Sequence, residues 1–437
     1  MMHFNQTLRP IDVPMSKNQI VRARTWPDFP TSKSPVSFGE ATCMEQLLVH
    51  CANAIENNDA TLAQQILWVL NNIAPPDGDS TQRLACGFLR ALIIRAAKTG
   101  NCKLLITAMA NVHSNDLAMT NHKFSIIELA SFVDLTPWHR FGFTAANAAV
   151  LEAVEGYHVV HIVDLSLTHC MQIPTLIESL AIRPEGPPLV KLTVVGATED
   201  FPPMLDLSYG ELGTKLVNFA RSRNVAMEFK VIPSSSSSGF ASLIEQLKMQ
   251  HFVRTQNDNE ALVINCHMML HCVPELEIPN TDSSSLRTMF LKELRCLDPT
   301  IVVLVDEDAD FTSNNLVNRL RSAYNYLWIP FDMVDTFLPR GSKQRQWYEA
   351  DICWKIENVI SHEGIQRMER LETKSKWVQR MRNASFRSVG FSEDAISEVK
   401  NILDEHAAGW GLKKEEKDLV LTWKGHNVVF ATVWFPM

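Results

Sequence analysis

The chain contains no C-x-x-C pair. Its nine cysteines are scattered and odd in number, which excludes a disulfide framework and fits reduced thiols inside a cell. No apolar run approaches the ~20 residues that a membrane-spanning helix needs. The first residues, Met1-Met-His-Phe-Asn-Gln6, lack the apolar core of a secretory signal. There is no excess of positive charge either. Forty-one Lys and Arg face 49 Asp and Glu, a net charge of -8. That excludes coating nucleic acid by bulk electrostatics and leaves a local basic face open. These absences point to a cytosolic or nuclear protein without a membrane partner.

What is present is a large core. The 437 residues are 46% hydrophobic and 21% charged, too many for one simple domain. Residues 1–37 read as a flexible basic tail. They hold five prolines (Pro10, Pro14, Pro27, Pro30, Pro35), five basic residues (Arg9, Lys17, Arg22, Arg24, Lys33) and few aliphatic side chains. From about residue 40 the apolar spacing is helical, with Leu47, Leu48, Cys51 and Ile55 on one face. Leu62, Ile66, Leu67, Leu70 and Ile73 share another, and Leu84, Phe88, Leu89, Leu92 and Ile93 a third. Such helices serve either as a core stripe or as a pairing surface. Thr136-Pro137 reads as a helix cap followed by proline in the first turn.

The pattern then alternates. Tyr157–Leu165 is a β-branched run that reads as a strand buried on both faces, and a helix with an early Pro174 follows it. Further strands are expected at Pro187–Gly196, Val225–Ile232, Ala261–Cys266 and Ile301–Asp306, with helices at 208–223 and 285–297 between them. Residues 313–370 break this rhythm as a helical, aromatic-rich insertion interrupted by Pro330 and Pro339. A helix at 392–406 and a hairpin around Lys424-Gly-His-Asn427 complete the chain. The expected fold is α/β: a methyltransferase-like, doubly wound, mostly parallel sheet of seven strands under a helical cap. The cap would comprise about 40–135 plus 313–370, and the core about 140–312 and 371–437.

In such sheets ligands sit at the carboxyl ends of the central strands. S-adenosylmethionine chemistry would need glycines after the first strand and an acidic group after the second. Glu199 and Asp200 suit the second role, but Asp164-Leu-Ser-Leu-Thr-His-Cys170 contains no glycine. A methyltransferase is therefore the alternative function, and no cofactor is expected. His267 and His271 have metal-ligand spacing but no third partner in sequence. Cys170 beside His169 evokes a nucleophile and base, and nothing marks an oxyanion hole. Arg367, Arg370, Lys374, Lys376, Arg380, Arg382 and Arg387 form a basic stretch. Glu369 and Glu372 interleave with it, so it reads either as a phosphate-tracking face or as an ordinary solvated helix.

Val160-His-Ile-Val-Asp164, followed by Gln172, Pro174, Leu176, Arg183-Pro184 and Gly186-Pro187-Pro188, resembles the signature block of the plant GRAS family. Other blocks follow in order. Cys51-Ala52 through Asp59 with Gln82–Ala85 resembles the first leucine-rich region, and Asn265–His271 the second. Arg367–Glu372 with Trp377 resembles the arginine–glutamate block. Trp423-Lys-Gly425 and Val433-Trp434 resemble the terminal tryptophan block. The Leu135–Phe143 and Asp164–Gln172 stretches are most similar to the SCARECROW-like and SHORT-ROOT branch. Cys170 stands where many members have glycine. The resemblance implies a nuclear, non-enzymatic regulator of transcription in plant development. It implies partners of three kinds: other GRAS proteins as homo- or heterodimer, zinc-finger transcription factors, and promoter DNA. The candidate pairing residues are Leu47, Leu48, Ile55, Leu62, Leu70 and Leu89. The candidate DNA contacts are Arg367, Lys374, Arg380 and Arg382. His161, Asp164, Gln172 and Pro174 are expected to act structurally.

Overall fold

The computed structural model describes residues 38–98, 122–196, 202–254, 259–275, 285–406 and 408–437. The expected tail, 1–37, lies outside them. The chain opens with α1 (Phe38–Glu56), α2 (Ala60–Ile73) and α3 (Ser80–Lys98). Asp59 separates the first two by capping α2, its carboxylate accepting from the Leu62 amide at 3.1 Å. A two-residue strand β1 (Lys123–Phe124) precedes α4 (Ile126–Asp134) and α5 (Pro137–Ala153). Thr136 caps α5 through the Trp138 amide, with Pro137 in the first turn as expected.

The sheet then begins: β2 (Val159–Ser166), α6 (Ile173–Ala181), β3 (Leu189–Gly196), a short β4 (Met204–Leu205) paired with β1, α7 (Tyr209–Ser222) and β5 (Met227–Pro233). It continues through α8 (Ala241–Arg254), β6 (Glu260–His267), α9 (Leu286–Cys296) and β7 (Ile301–Glu307). The inserted helices are α10 (Leu316–Phe337) and α11 (Lys343–Ser361). After them come α12 (Lys374–Asn383), β8 (Phe386–Val389), α13 (Glu393–Asp404), β9 (Trp410–Glu415), β10 (Asp418–Trp423) and β11 (His426–Pro436).

The order across the main sheet is β5-β3-β2-β6-β7-β11-β10-β9, with β8 pairing β11. The first five strands are parallel, and β11 and β10 run antiparallel beside them. These are the seven expected strands. The sheet extends beyond them by β9 on its outer edge and β8 on β11. Neither was expected, because Trp410–Glu415 carries two lysines and a glutamate, and Phe386–Val389 is only four residues long. The chain order reverses between β2 and β6, so the cleft between their carboxyl ends is the switch point where this architecture binds ligands.

Two hydrophobic cores flank the sheet. One joins α5, α6, α7 and α13 to the cap, and the other holds α8, α9 and α12. In the cap, α10 and α11 pack against α1 and α3. Pro330 does not interrupt α10 as its sequence position suggested. It forgoes one backbone bond, and burial of its neighbours Leu327, Ile329 and Phe331 holds the helix together. The terminal hairpin turns on Lys424 and Gly425, both at positive φ, with Trp423 directly opposite His426.

Candidate functional site

At the carboxyl end of β2, Asp164 is buried and fully engaged. Asn265 of β6 donates to one carboxylate oxygen at 2.7 Å and Ser166 to the other at 2.8 Å. The Cys170 thiol adds a third bond. Burial raises the Asp164 pKa above the usual carboxylate range, and these three bonds oppose the rise. The network continues through Gln172. Its Nε2 donates to Asn147 of α5 at 2.9 Å, and its Oε1 accepts from Asn265 at 3.0 Å. His161 sits deeper in β2, 2.9 Å from the Thr193 hydroxyl of β3. Pro174 occupies the first turn of α6. These four motif residues thus tie β2, β3, β6, α5 and α6 together.

The loop after β2 makes its tight turn without glycine. His169 and Cys170 both adopt the left-handed region, at φ 48° and 61°. A glycine would turn there at lower conformational cost and leave space. Cys170 instead puts a side chain, 3% exposed, into that space. Burial and the neighbouring Asp164 push its thiol pKa well up, so it is no nucleophile. His169 is bonded to the Pro203 carbonyl, 3.0 Å away, rather than paired with Cys170. Glu199 and Asp200 lie outside the described residues.

Beneath the cap, the ends of β6 and β7 meet α11 in a cluster of ionised side chains that the motifs did not reveal. Lys355 of α11 donates to both oxygens of Glu307 at 2.9 and 2.7 Å, and lies 3.6 Å from Glu369. The Trp138 indole donates to the same Glu307 at 3.0 Å. His271 lies 2.8 Å from Asp306 and 3.4 Å from Glu369. Burial alone would raise Glu369, but Lys355 and His271 hold it down at about 2. Asp351 goes the other way: burial raises it to about 7, helped by Glu369 and Glu307 and opposed by Lys355. The cluster fastens cap to core and leaves a cavity of about 60 Å³ lined by Leu167, His271, Glu307, Asp351, Lys355 and Glu369. That is room for about two waters, far below the several hundred Å³ of a nucleoside site.

The sequence-predicted metal pair separates. His267 ends β6 and packs between Phe143 and His139, close under Gly142, while His271 belongs to the ionic cluster. Among the described residues no group of three His, Cys, Asp or Glu could hold a metal ion.

Most of the candidate pairing residues are core. Leu48, Ile55, Leu70 and Leu89 are buried and Leu47 is half-buried, because each points inward between the cap helices. Leu62 alone is exposed, at 36%, and it shares its face of α2 with Trp68, which is 67% exposed. Trp68 falls outside the leucine stripe, so helical periodicity does not mark it. Three candidate DNA contacts are likewise held inside the fold. Arg367 is buried against the Ser313 carbonyl and Asn314. Lys374 pairs with Glu415 at 2.5 Å. Arg380 bonds Glu372 and Glu275 at 2.6–2.8 Å. Arg382 is exposed.

The GRAS domain family matches residues 44–435. The chain belongs to the GRAS family. It is 60% identical over 413 residues to Scarecrow-like protein 32 of Arabidopsis thaliana, covering 94% of this chain and 97% of that protein. It is 30% identical over 426 residues to Protein SHORT-ROOT of the same plant, covering 93% and 76%. The crystal structure of SCL7 in Oryza sativa shares the fold, with a TM-score of 0.68 at 24% identity over 90% of this chain and 99% of that one. These GRAS relatives place the chain among plant developmental regulators. No helix among the described residues is long and apolar enough to cross a membrane.

Proposed function

We propose that this GRAS protein is a nuclear regulator of transcription that works through protein contacts and has no enzymatic activity. It pairs with itself or another family member and holds zinc-finger transcription factors, which bring it to promoter DNA. The observation that carries this reading is the contrast between two places in the fold. At the carboxyl end of β2, where this architecture binds cofactors, the loop has no glycine and the buried Cys170 side chain fills its turn, bonded to Asp164. The cap, meanwhile, presents a helix without a single charged residue. On α2 the sequence Ala60–Ile73 contains no Asp, Glu, Lys or Arg, and its exposed side carries Leu62, Gln64, Gln65, Trp68, Asn71 and Asn72. A solvated helix normally bears charges there. An exposed tryptophan amid uncharged neighbours is the composition of an interface centre.

Partner-mediated recruitment fits better than direct DNA contact, because Arg367, Lys374 and Arg380 are committed to carboxylates and carbonyls within the fold. Light scattering tests the pairing. The wild type is expected to be a dimer at micromolar concentration, and Trp68→Glu a monomer with unchanged circular dichroism. A monomeric wild type would overturn the pairing reading. The enzyme alternative is tested by calorimetry, where heat on adding S-adenosylmethionine would overturn the non-enzymatic one.

A further inference from the structure

Away from both of these places, an open groove of about 670 Å³ runs between the carboxyl end of α11, the segment 362–368 and the end of α3. Its lining includes Lys98, Trp354, Glu357, His362, Ile365 and Met368. Ile365 is 61% exposed, one of few large apolar side chains so displayed. Beside and beneath the groove lies an accumulation of positive charge. Arg95, Arg319 and Arg367 all converge on one carboxylate, Glu363, at 3.0, 2.6 and 3.5 Å. Arg370 bonds only carbonyl oxygens, those of Cys272 and Gly364. Lys98 donates to the Ser361 carbonyl.

Among the described residues, these five cations meet three nearby carboxylates, Glu363, Glu357 and Glu56. Glu56 is engaged by the Leu316 amide and the Asn315 side chain. Arg319, Arg367 and Arg370 are almost wholly buried, where uncompensated charge is costly. Burial and then the neighbouring guanidinium groups lower both Arg367 and Arg370 to about 10. The Nε of Arg95 and of Arg367 each lack a hydrogen-bond acceptor. Burial, then Lys98, keeps His362 below the usual imidazole range.

We propose that this groove docks a phosphorylated segment of a partner protein, with Lys98, Arg95 and His362 receiving the phosphoryl group and Trp354, Ile365 and Met368 receiving an adjacent apolar side chain. A phosphoryl group brings close to two negative charges and three strong acceptors, which suits a site short of both. The apolar lining and the size of the groove exceed what free phosphate needs. Glu357 in the lining and the net charge of -8 argue against a nucleic-acid backbone. This surface is separate from α2, so a variant at Trp68 leaves it intact.

The test uses the full chain, immobilised, and a pool of dye-labelled peptides with random flanks around a central phosphoserine. An unphosphorylated twin pool and random-sequence duplex DNA run in parallel. The phosphorylated pool is expected to be retained at least ~10-fold above its twin. Inorganic phosphate should displace it where chloride of equal ionic strength does not. Lys98→Glu and Arg95→Gln should each abolish most of that preference. Ile365→Ser, on an exposed side chain with no part in the core, should weaken it and keeps the test standing if either charge variant misfolds. Equal retention of the two pools, or a preference indifferent to all three variants, would overturn the proposal. So would selective retention of duplex DNA that Lys98→Glu removes, which would assign the groove to nucleic acid.

Discussion

Asp351 offers the sharpest test of the ionic cluster between cap and core. Its carboxyl lies half-buried near Glu307 and Glu369, with Lys355 as counter-charge, and its pKa rises to about 7 from an ordinary 3.8. The folded state therefore keeps a proton that the unfolded chain has released. The slope of stability with pH follows the difference in bound protons, so this group contributes a loss of stability as pH rises from about 4 to about 7. At 1.36 kcal/mol per unit, the three-unit rise sets a ceiling of about 4 kcal/mol. Hydration of the exposed side of the carboxyl brings the expectation nearer about 2 kcal/mol. Asp351→Asn removes the titration at almost unchanged volume. Urea unfolding at pH 4 and pH 8 should show the variant close to wild type at the lower pH. At the higher pH it should be more stable by about 2 kcal/mol, with an unchanged denaturant slope. Equal stabilities at pH 8, or a wild-type curve flat between pH 4 and 8, would show that Asp351 is not held protonated by its surroundings.

Lys355→Met leaves Glu307 and Glu369 without their shared cation, and should cost about 3–5 kcal/mol in the same assay at pH 7. Arg380→Glu should destabilise by about 2–4 kcal/mol, because the buried Glu372 keeps Arg287 at 3.2 Å but loses its two-point partner and gains a second carboxylate beside it. Any loss of DNA retention in that variant would then track its lower melting temperature rather than a lost phosphate contact. Cys170→Gly relieves a left-handed non-glycine residue but removes a thiol bonded to Asp164. Opposing terms of about 1 kcal/mol each predict little change in melting temperature. No binding heat with S-adenosylmethionine is expected, since the remaining cavity is about 60 Å³. Leu70→Ala should cost about 2–5 kcal/mol, whereas Leu62→Ala, on an exposed side chain, should cost under 1 kcal/mol in the monomer.

The elements of this fold are written locally and could be read as such. β2, β3, β5, β6 and β7 each appear within a few residues of their apolar runs, because strands buried on both faces leave continuous β-branched sequence. Thr136-Pro137 and Lys424-Gly425 announced their cap and turn by chemistry that acts over two or three residues. Helical periodicity, however, says only that one face is apolar. It could not tell Leu48 and Leu70, sealed in the cap, from Leu62 on its surface, since that depends on where α1, α3 and α10 lie. The unexpected course of α10 through Pro330 has the same origin in packing.

Charged side chains were the least legible. Arg367, Lys374 and Arg380 looked like a basic face because their carboxylate and carbonyl partners are distant in sequence or come from other elements. Glu307, Lys355 and Glu369 gave no local sign of meeting, as each is an ordinary charged residue in its own segment. The signature motif illustrates the division. Val160–Asp164 announced a central strand and its family through residue order alone, because β-branched burial is a local property. Whether the loop beyond it admits a ligand depended on the space around Cys170, and that space is set by Asp164, Asn265 and Gln172 arriving from three different elements.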